Sequence, residues 1–155
     1  MEGSVPLAGA TPWSNLLLMG LCLLVVAFFS SSEAALLSVS KIRIRHLAEQ
    51  GHRGARAVAR LVKQHDKLFA TILTTENAMI ILASSLGTVL LLKIFGEQYL
   101  VLGSLIMTVF IVIFGEITPK TFAAQNAERI SLLVARPMEA IIKALWWAIL
   151  PFTTA

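Results

Sequence analysis

The pattern of hydrophobic positions divides the chain into three long apolar segments separated by polar stretches. These segments cover about residues 14–40, 68–92 and 99–122. A helix needs roughly 20 predominantly apolar residues to cross a bilayer, and each segment is long enough. The pattern therefore predicts three transmembrane helices.

The stretch between the first two segments, residues 41–67, is polar and strongly basic. It carries eight Lys and Arg residues against two acidic residues, and Gly51 and Gly54 interrupt it. The interruptions predict a pair of short helices rather than one. Basic residues beside membrane spans are typical of the cytoplasmic side, where they face anionic lipid. A nucleic-acid surface is the weaker alternative, and no nucleic-acid partner is expected.

The last stretch, residues 126–151, has the pattern of an amphipathic helix. Its polar face carries Arg129, Arg136, Glu139 and Lys143, and its apolar face carries Ile130, Val134, Met138, Ile141, Leu145 and Ile149. This pattern predicts a juxtamembrane helix in the membrane interface, with Trp146 and Trp147 as anchors. Pro137 could divide the helix in two. A fourth span is the alternative, since residues 144–150 are fully apolar.

Together these patterns predict an all-α membrane protein. It has three transmembrane helices, a pair of short cytoplasmic helices and the amphipathic juxtamembrane helix, in one domain over residues 1–155. A hydrophobic fraction of 57% agrees with this class. With the amino terminus outside and the carboxyl terminus in the cytoplasm, all but one of the 13 basic residues are cytoplasmic. The expected location is the plasma or inner membrane of the cell.

Polar residues in the three spans fall at related depths. Ser30 lies ten residues before Lys41, and Asn77 lies ten residues after Lys67. At about 1.5 Å per residue, both lie near the middle of an apolar layer about 30 Å thick. The acidic residues Glu33, Glu76 and Glu116 lie at related depths. The sequence therefore predicts one polar layer across the three helices.

The chemistry of this layer indicates a cation pathway. Polar groups in lipid must find partners. Hydroxyl, amide and carboxylate oxygens are hard ligands that suit Mg²⁺ and Na⁺, and Pro119 should free a carbonyl around Gly115 as a further oxygen. The three histidines all fall within residues 41–67, which argues against a zinc site in the membrane. The alternative is that the layer only joins helices.

An enzyme is not expected. The sequence contains neither the HExxH pattern of zinc proteases nor the GxSxG pattern of serine hydrolases.

Three motifs resemble those of one family. FFSSSEAALLSVS, TTENAMIIL and FGEITPKTFA resemble, in order, the three helix motifs of the CNNM/CorC magnesium transporters, whose membrane module was formerly a domain of unknown function. The resemblance covers roughly residues 15–155. It implies a homodimer that exports Mg²⁺, driven by Na⁺ entry. A non-transporting membrane anchor or regulator of Mg²⁺ homeostasis remains the alternative.

The resemblance also implies the ion-site residues. The family's ligands correspond to Ser30, Asn77, the backbone around Gly115, and Glu116. Second choices are Ser32, Glu33 and Glu76, with Glu76 less secure because relatives often have a small residue there. Pro119 is the expected hinge. Among the serines Ser30 is preferred, because it shares a helix face with Glu33.

One departure from the family concerns regulation. Family members usually continue into paired CBS domains that bind nucleotide, whereas this sequence ends at Ala155. The resemblance therefore implies a truncated chain, and ATP regulation is expected only through CBS domains absent from it.

Overall fold

The computed structural model describes the backbone of residues 12–153 and the side chains of residues 13–147, and no strand occurs in this range. The elements in chain order are α1 (Pro12–Ser38), α2 (Lys41–Glu49), α3 (Arg53–Lys63), α4 (His65–Phe95), a 3₁₀ turn (Glu97–Tyr99), α5 (Leu100–Ile111), a π-helical segment (Val112–Ile117), α6 (Thr118–Gln125) and α7 (Ala127–Thr153). The predicted all-α class is confirmed.

Within residues 12–153, three helical segments are long and apolar enough to cross a membrane. They are Trp13–Ser38, His65–Phe95 and Glu97–Gln125. The predicted number and order of these segments are therefore confirmed. The second begins earlier than predicted, because α3 passes into α4 through the single residue Gln64.

The pair of short helices predicted for residues 41–67 is confirmed as α2 and α3. Gly51 separates them with φ +89°, a conformation that residues with a side chain rarely adopt. The backbone N–H groups of Gly51 and His52 donate to the carbonyls of Ala48 and Leu47, which closes the end of α2. The ring of His52 then accepts a hydrogen bond from the Ala55 N–H at 3.4 Å and caps α3. These local bonds fix the turn that the glycines predicted.

Helix α1 lies at the centre of the fold, in contact with α4, α6, α7 and the π-helical segment. Near its start it contributes to one apolar core, formed by Met19, Cys22, Ala83, Leu86 and Ile111. Near its end it contributes to a larger core with α3, α4 and α7, which includes Phe29, Leu36, Val58, Ile72 and Met138. On α4, the buried residue Glu76 lies between Ile72 of the larger core and Ala83 of the smaller one, and on α1 the buried residue Ser30 directly follows Phe29 of the larger core.

The predicted amphipathic helix is present as α7, and Pro137 does not divide it. Arg129, Arg136 and Lys143 are exposed, as the polar face required. The buried stripe consists of Ser131, Val134, Ala135, Met138 and Ile142. It differs from the predicted apolar face because α7 packs against α1 and α3, and small residues such as Ala135 allow the closest approach.

Pro119 changes the helical geometry of the third segment without ending it. The N–H of Thr118 bonds to the carbonyl of Ile113, five residues back, in the π-helical pattern. Pro119 then lies in the first turn of α6, where its missing N–H is tolerated. Pro119 is thus preceded by a change of hydrogen-bond register over Val112–Ile117.

Arg60 of α3 and Glu139 of α7 form a two-pronged ion pair, which generates a prediction about pH. Arg60 Nε lies 2.7 Å from Glu139 Oε1, and Nη2 lies 3.0 Å from Oε2. The hydrogen bond from Arg60, with the charges of Arg60 and Lys143, lowers the pKa of Glu139 below 4.5 despite partial burial. The pair therefore stabilises the fold fully above that value, and its contribution falls as pH drops through the lowered pKa.

We expect Glu139→Gln to lower the melting temperature at pH 7 and to have little effect in acid well below pH 4.5. Thermal unfolding in detergent at a series of pH values measures both. Glu49→Gln is the control, because the Arg45–Glu49 pair is exposed within α2 and should contribute less. Equal melting temperatures of Glu139→Gln and the unmodified protein at pH 7 would contradict the prediction.

Candidate ion site

The buried polar layer centres on one lysine and two glutamates from three helices. Lys120 Nζ of α6 lies 3.0 Å from Glu33 Oε2 of α1 and 3.5 Å from Glu76 Oε1 of α4. The hydroxyl of Ser30 donates a hydrogen bond to the carboxylate of Glu76. We call Ser30, Glu33, Glu76 and Lys120 the Lys120 cluster.

The two glutamate side chains of the cluster are buried, whereas the lysine side chain is partly exposed. The Glu76 side chain is 5% exposed and the Glu33 side chain 16%, whereas that of Lys120 is 38% exposed. Burial of a carboxylate is costly unless a counter-charge and hydrogen bonds replace water. Lys120 and Ser30 supply both, so the cluster joins α1, α4 and α6.

The helix geometry explains why these side chains meet. Ser30 and Glu33 are three residues apart on α1 and therefore share a face. Ser32 is also buried, but its hydroxyl donates to the Phe28 carbonyl of its own helix at 2.7 Å. Ser31 lies 3.5 Å from the Pro119 carbonyl. Of the three serines, Ser30 is thus the one bonded to an acidic side chain of another helix.

Gly115 and Glu116 lie in the π-helical segment next to this cluster. Gly115 is buried, and a Cβ atom at its position would lie 3.2 Å from Val26 Cγ1 of α1, so its small size permits close helix contact. Glu116 is partly buried and precedes Lys120 by four residues. Two carboxylates, Glu33 and Glu76, therefore contact the ammonium group of Lys120.

Asn77 occupies a different position. It follows Glu76 directly in α4, yet its side chain is exposed while that of Glu76 is buried. Successive residues of an α-helix point about 100° apart, so equal depth does not imply a shared face. The structure therefore brings Ser30, Glu33 and Glu76 together and leaves Asn77 on an outer surface of the chain.

Lys120 is the residue that the sequence analysis missed. From the sequence, Lys120 was assigned only to the group of basic residues on the cytoplasmic side. The available signal was its spacing, since Lys120 follows Glu116 by four residues and these positions are neighbours on a helix. A lysine near the end of an apolar helix can reach inward to a carboxylate as well as outward to water.

Within the described residues, no group of three or more His, Cys, Asp or Glu side chains is arranged so that it could hold a metal ion.

Comparison with known proteins identifies the family of this chain. The model of the cyclin M (CNNM) transmembrane N-terminal domain matches residues 17–155. The chain belongs to the CNNM family. The family resemblance of the three helix motifs is thereby confirmed, and a CNNM membrane domain is consistent with ion transport across membranes.

Several curated CNNM relatives are similar over most of this chain. A UPF0053 protein of Haemophilus influenzae is 35% identical over 136 residues, which is 87% of this chain and 32% of the relative. The UPF0053 inner membrane protein YfjD of Escherichia coli is 32% identical over 126 residues, 79% of this chain and 29% of the relative. The chain thus spans about a third of the length of these relatives.

The Lys120 cluster generates a prediction about stability. Lys120→Met leaves Glu33 and Glu76 without their counter-charge, and we expect it to destabilise the fold by about 2–3 kcal/mol. This is less than the 3–5 kcal/mol typical of breaking a fully buried pair, because Lys120 is partly exposed. Chemical unfolding in detergent measures the change.

A double variant separates the effect of the unpaired carboxylates from the loss of other contacts of the Lys120 side chain. Lys120→Met combined with Glu76→Gln removes one unpaired charge and should be more stable than Lys120→Met alone. Lys120→Arg, which retains the positive charge, should remain closer to the unmodified protein. If the double variant is less stable than Lys120→Met, the electrostatic account of the cluster is wrong.

Proposed function

We propose that this CNNM domain exports Mg²⁺ in exchange for Na⁺ entry, by alternating access at an oxygen-lined site near the middle of the bilayer. The observation that carries the proposal is the pair of buried carboxylates, Glu33 and Glu76, which meet Lys120 and the Ser30 hydroxyl at the junction of three helices of a CNNM membrane domain. Such a set of hard oxygen atoms suits a hydrated divalent cation that gives up water reluctantly.

Charge balance favours a divalent ion. Glu33, Glu76, Glu116 and Lys120 carry a formal net charge of −2 when all are ionised. Mg²⁺ would neutralise this charge, whereas a single Na⁺ would leave one negative charge uncompensated. In a medium of low dielectric this difference is large enough to couple the two ions.

The proposed ligands are Ser30, the backbone at Gly115, and Glu116, with Ser32, Glu33 and Glu76 as further candidates. Asn77, which is exposed in this conformation, would join them only in a state in which α4 turns it towards Ser30. Ser30 and Asn77 would supply neutral oxygens, and Glu116 would supply charge. The π-helical segment followed by Pro119 offers a place where the third span can bend between inward-facing and outward-facing states.

We propose that the outward face of α4 forms a homodimer interface. The outward face of α4 carries Thr74, Asn77, Ile81 and Ser85, spaced three to four residues apart, and all four are exposed in the single chain. Polar side chains facing lipid lack partners, so small and polar residues in spans usually pack against another helix. A second copy of this chain would cover them.

The basic helices α2 and α3 define the proposed orientation. They would lie in the cytoplasm at the inner or plasma membrane, with the amino terminus outside and the carboxyl terminus inside. The name of the E. coli relative, an inner membrane protein, agrees with this location.

A second candidate function is a membrane anchor or regulator that does not move ions. It is favoured by one observation, namely that Lys120 already satisfies two of the carboxylates within the chain. In that case the polar layer would serve only to join helices.

Mg²⁺ flux into or out of proteoliposomes tests the transport function. We expect Asn77→Ala and Glu116→Gln each to reduce the initial rate roughly tenfold or more, as loss of ligands and their supports commonly does. Ser85→Ala is the matched control and should transport normally, because the Ser85 hydroxyl bonds only to the Ile81 carbonyl of its own helix. Undiminished flux in both variants would refute the site, and absence of flux in the folded unmodified protein would favour the anchor.

Cysteine cross-linking tests the homodimer. In a Cys22→Ser background, Ile81→Cys should form a covalent dimer on mild oxidation, because facing cysteines must come within about 7 Å between Cα atoms. Leu24→Cys is the control, since Leu24 of α1 is 70% exposed, like Ile81 at 67%, but lies on another helix. Cross-linking of both variants to the same extent, or of neither, would contradict an interface through α4.

A further inference from the structure

A cavity between α2 and α3 is not used by the proposed transport path. It has a volume of about 540 Å³ and extends to the end of α1. Its apolar lining includes Ala48, Ala59 and Val62, which are partly exposed, as well as the buried residues Val39, Ile44 and Val58. Its lining also includes Lys41, Arg45 and Lys63. The cavity therefore combines an apolar wall with three positive charges.

The position of this cavity relative to the membrane is set by α1. Lys41 follows the end of the first apolar segment, Ser38, by three residues and therefore lies near the level of lipid headgroups. A smaller cavity of about 70 Å³ shares Lys41 and Val62 with the first, and its lining includes Leu36, Leu37 and Phe69 of α1 and α4. Apolar lining thus continues from the α2–α3 cavity towards the membrane-spanning helices.

The exposed side chain of Ile42 supports an interfacial position for α2. Ile42 is 84% exposed and stands between the basic residues Lys41 and Arg43. An apolar side chain among positive charges is typical of a helix lying in the headgroup region, where the apolar part enters the acyl boundary. The mouth of the cavity and Ile42 would then meet the same leaflet.

We propose that the α2–α3 cavity binds an acidic phospholipid from this leaflet. The phosphate would lie by Lys41, Arg45 and Lys63, and part of an acyl chain would cover Ala59 and Val62. Glu49 also lines the cavity, but it is paired with Arg45 at 3.2 Å, so the lining retains a net positive charge. A free phosphate would leave the apolar wall exposed, whereas a lipid satisfies both parts. The proposal is independent of whether the chain transports Mg²⁺.

Native mass spectrometry of the complete chain tests the proposal. The protein is reconstituted in bilayers with equal amounts of phosphatidylglycerol and phosphatidylcholine, extracted in detergent, and scored for the lipids it retains. We expect about one tightly held phosphatidylglycerol per chain. The variant Lys41→Gln/Arg45→Gln/Lys63→Gln should retain it at least roughly tenfold less, since each basic residue near the surface favours anionic lipid.

A charge-matched control separates the cavity from general attraction to anionic lipid. Arg53→Gln/Arg56→Gln/Arg136→Gln removes the same number of positive charges from residues that do not line the cavity, and it should retain the lipid normally. Equal loss in the two triple variants would overturn the proposal. Circular dichroism confirms that each variant is folded.

A third variant tests whether the acyl chain enters the cavity. Ala59→Trp narrows the cavity while keeping its charges, and it should also lose phosphatidylglycerol. Inorganic phosphate in excess should not displace the lipid. Retention by Ala59→Trp, displacement by phosphate, or no retained lipid in the unmodified chain, as expected if another protein segment fills the cavity, would each overturn the proposal.

Discussion

The burial of Glu33 and Glu76 inside an apolar helix bundle is the constraint on which the rest of the structure depends. Carboxylates in such surroundings require a counter-charge and hydrogen-bond donors from the protein itself. Lys120 and Ser30 provide them, and in doing so they fix α6 and α4 against α1. Along α4, Glu76 lies between residues of the two apolar cores, and the polar cluster sets which faces of the three helices pack together.

The π-helical segment is connected to this contact through backbone geometry. Pro119 cannot donate a backbone hydrogen bond, and the preceding residues adopt the wider π-helical pattern. Gly115 in that segment lies against Val26 of α1, where a larger residue would hold the helices apart. The close approach places α6 beside α1, and this position allows Lys120 to reach Glu33. The GEITPK motif thus contributes geometry through its glycine and proline and charge through its glutamate and lysine.

The sequence predicted the helices, because hydrophobic length and spacing along one helix are local properties. It did not predict which polar side chains face each other. Asn77 and Glu76 have nearly the same depth, but only Glu76 is buried, since packing against α1 selects one face of α4. The role of Lys120 was missed for a related reason. A long side chain at the end of an apolar helix can face either water or a carboxylate, and the choice depends on the neighbouring helix.

The same lysine bears on both proposed functions of the polar layer. As a tethered ammonium group it satisfies the carboxylates, which suffices for a structural role. For transport, an entering cation must compete with that ammonium for the same oxygens. Na⁺ carries the same charge as the ammonium group and gains no Coulomb advantage over it, whereas Mg²⁺ carries twice the charge. On the proposed mechanism Lys120 therefore favours a divalent ion without being a ligand, and its displacement would link ion entry to movement of α6 against α1.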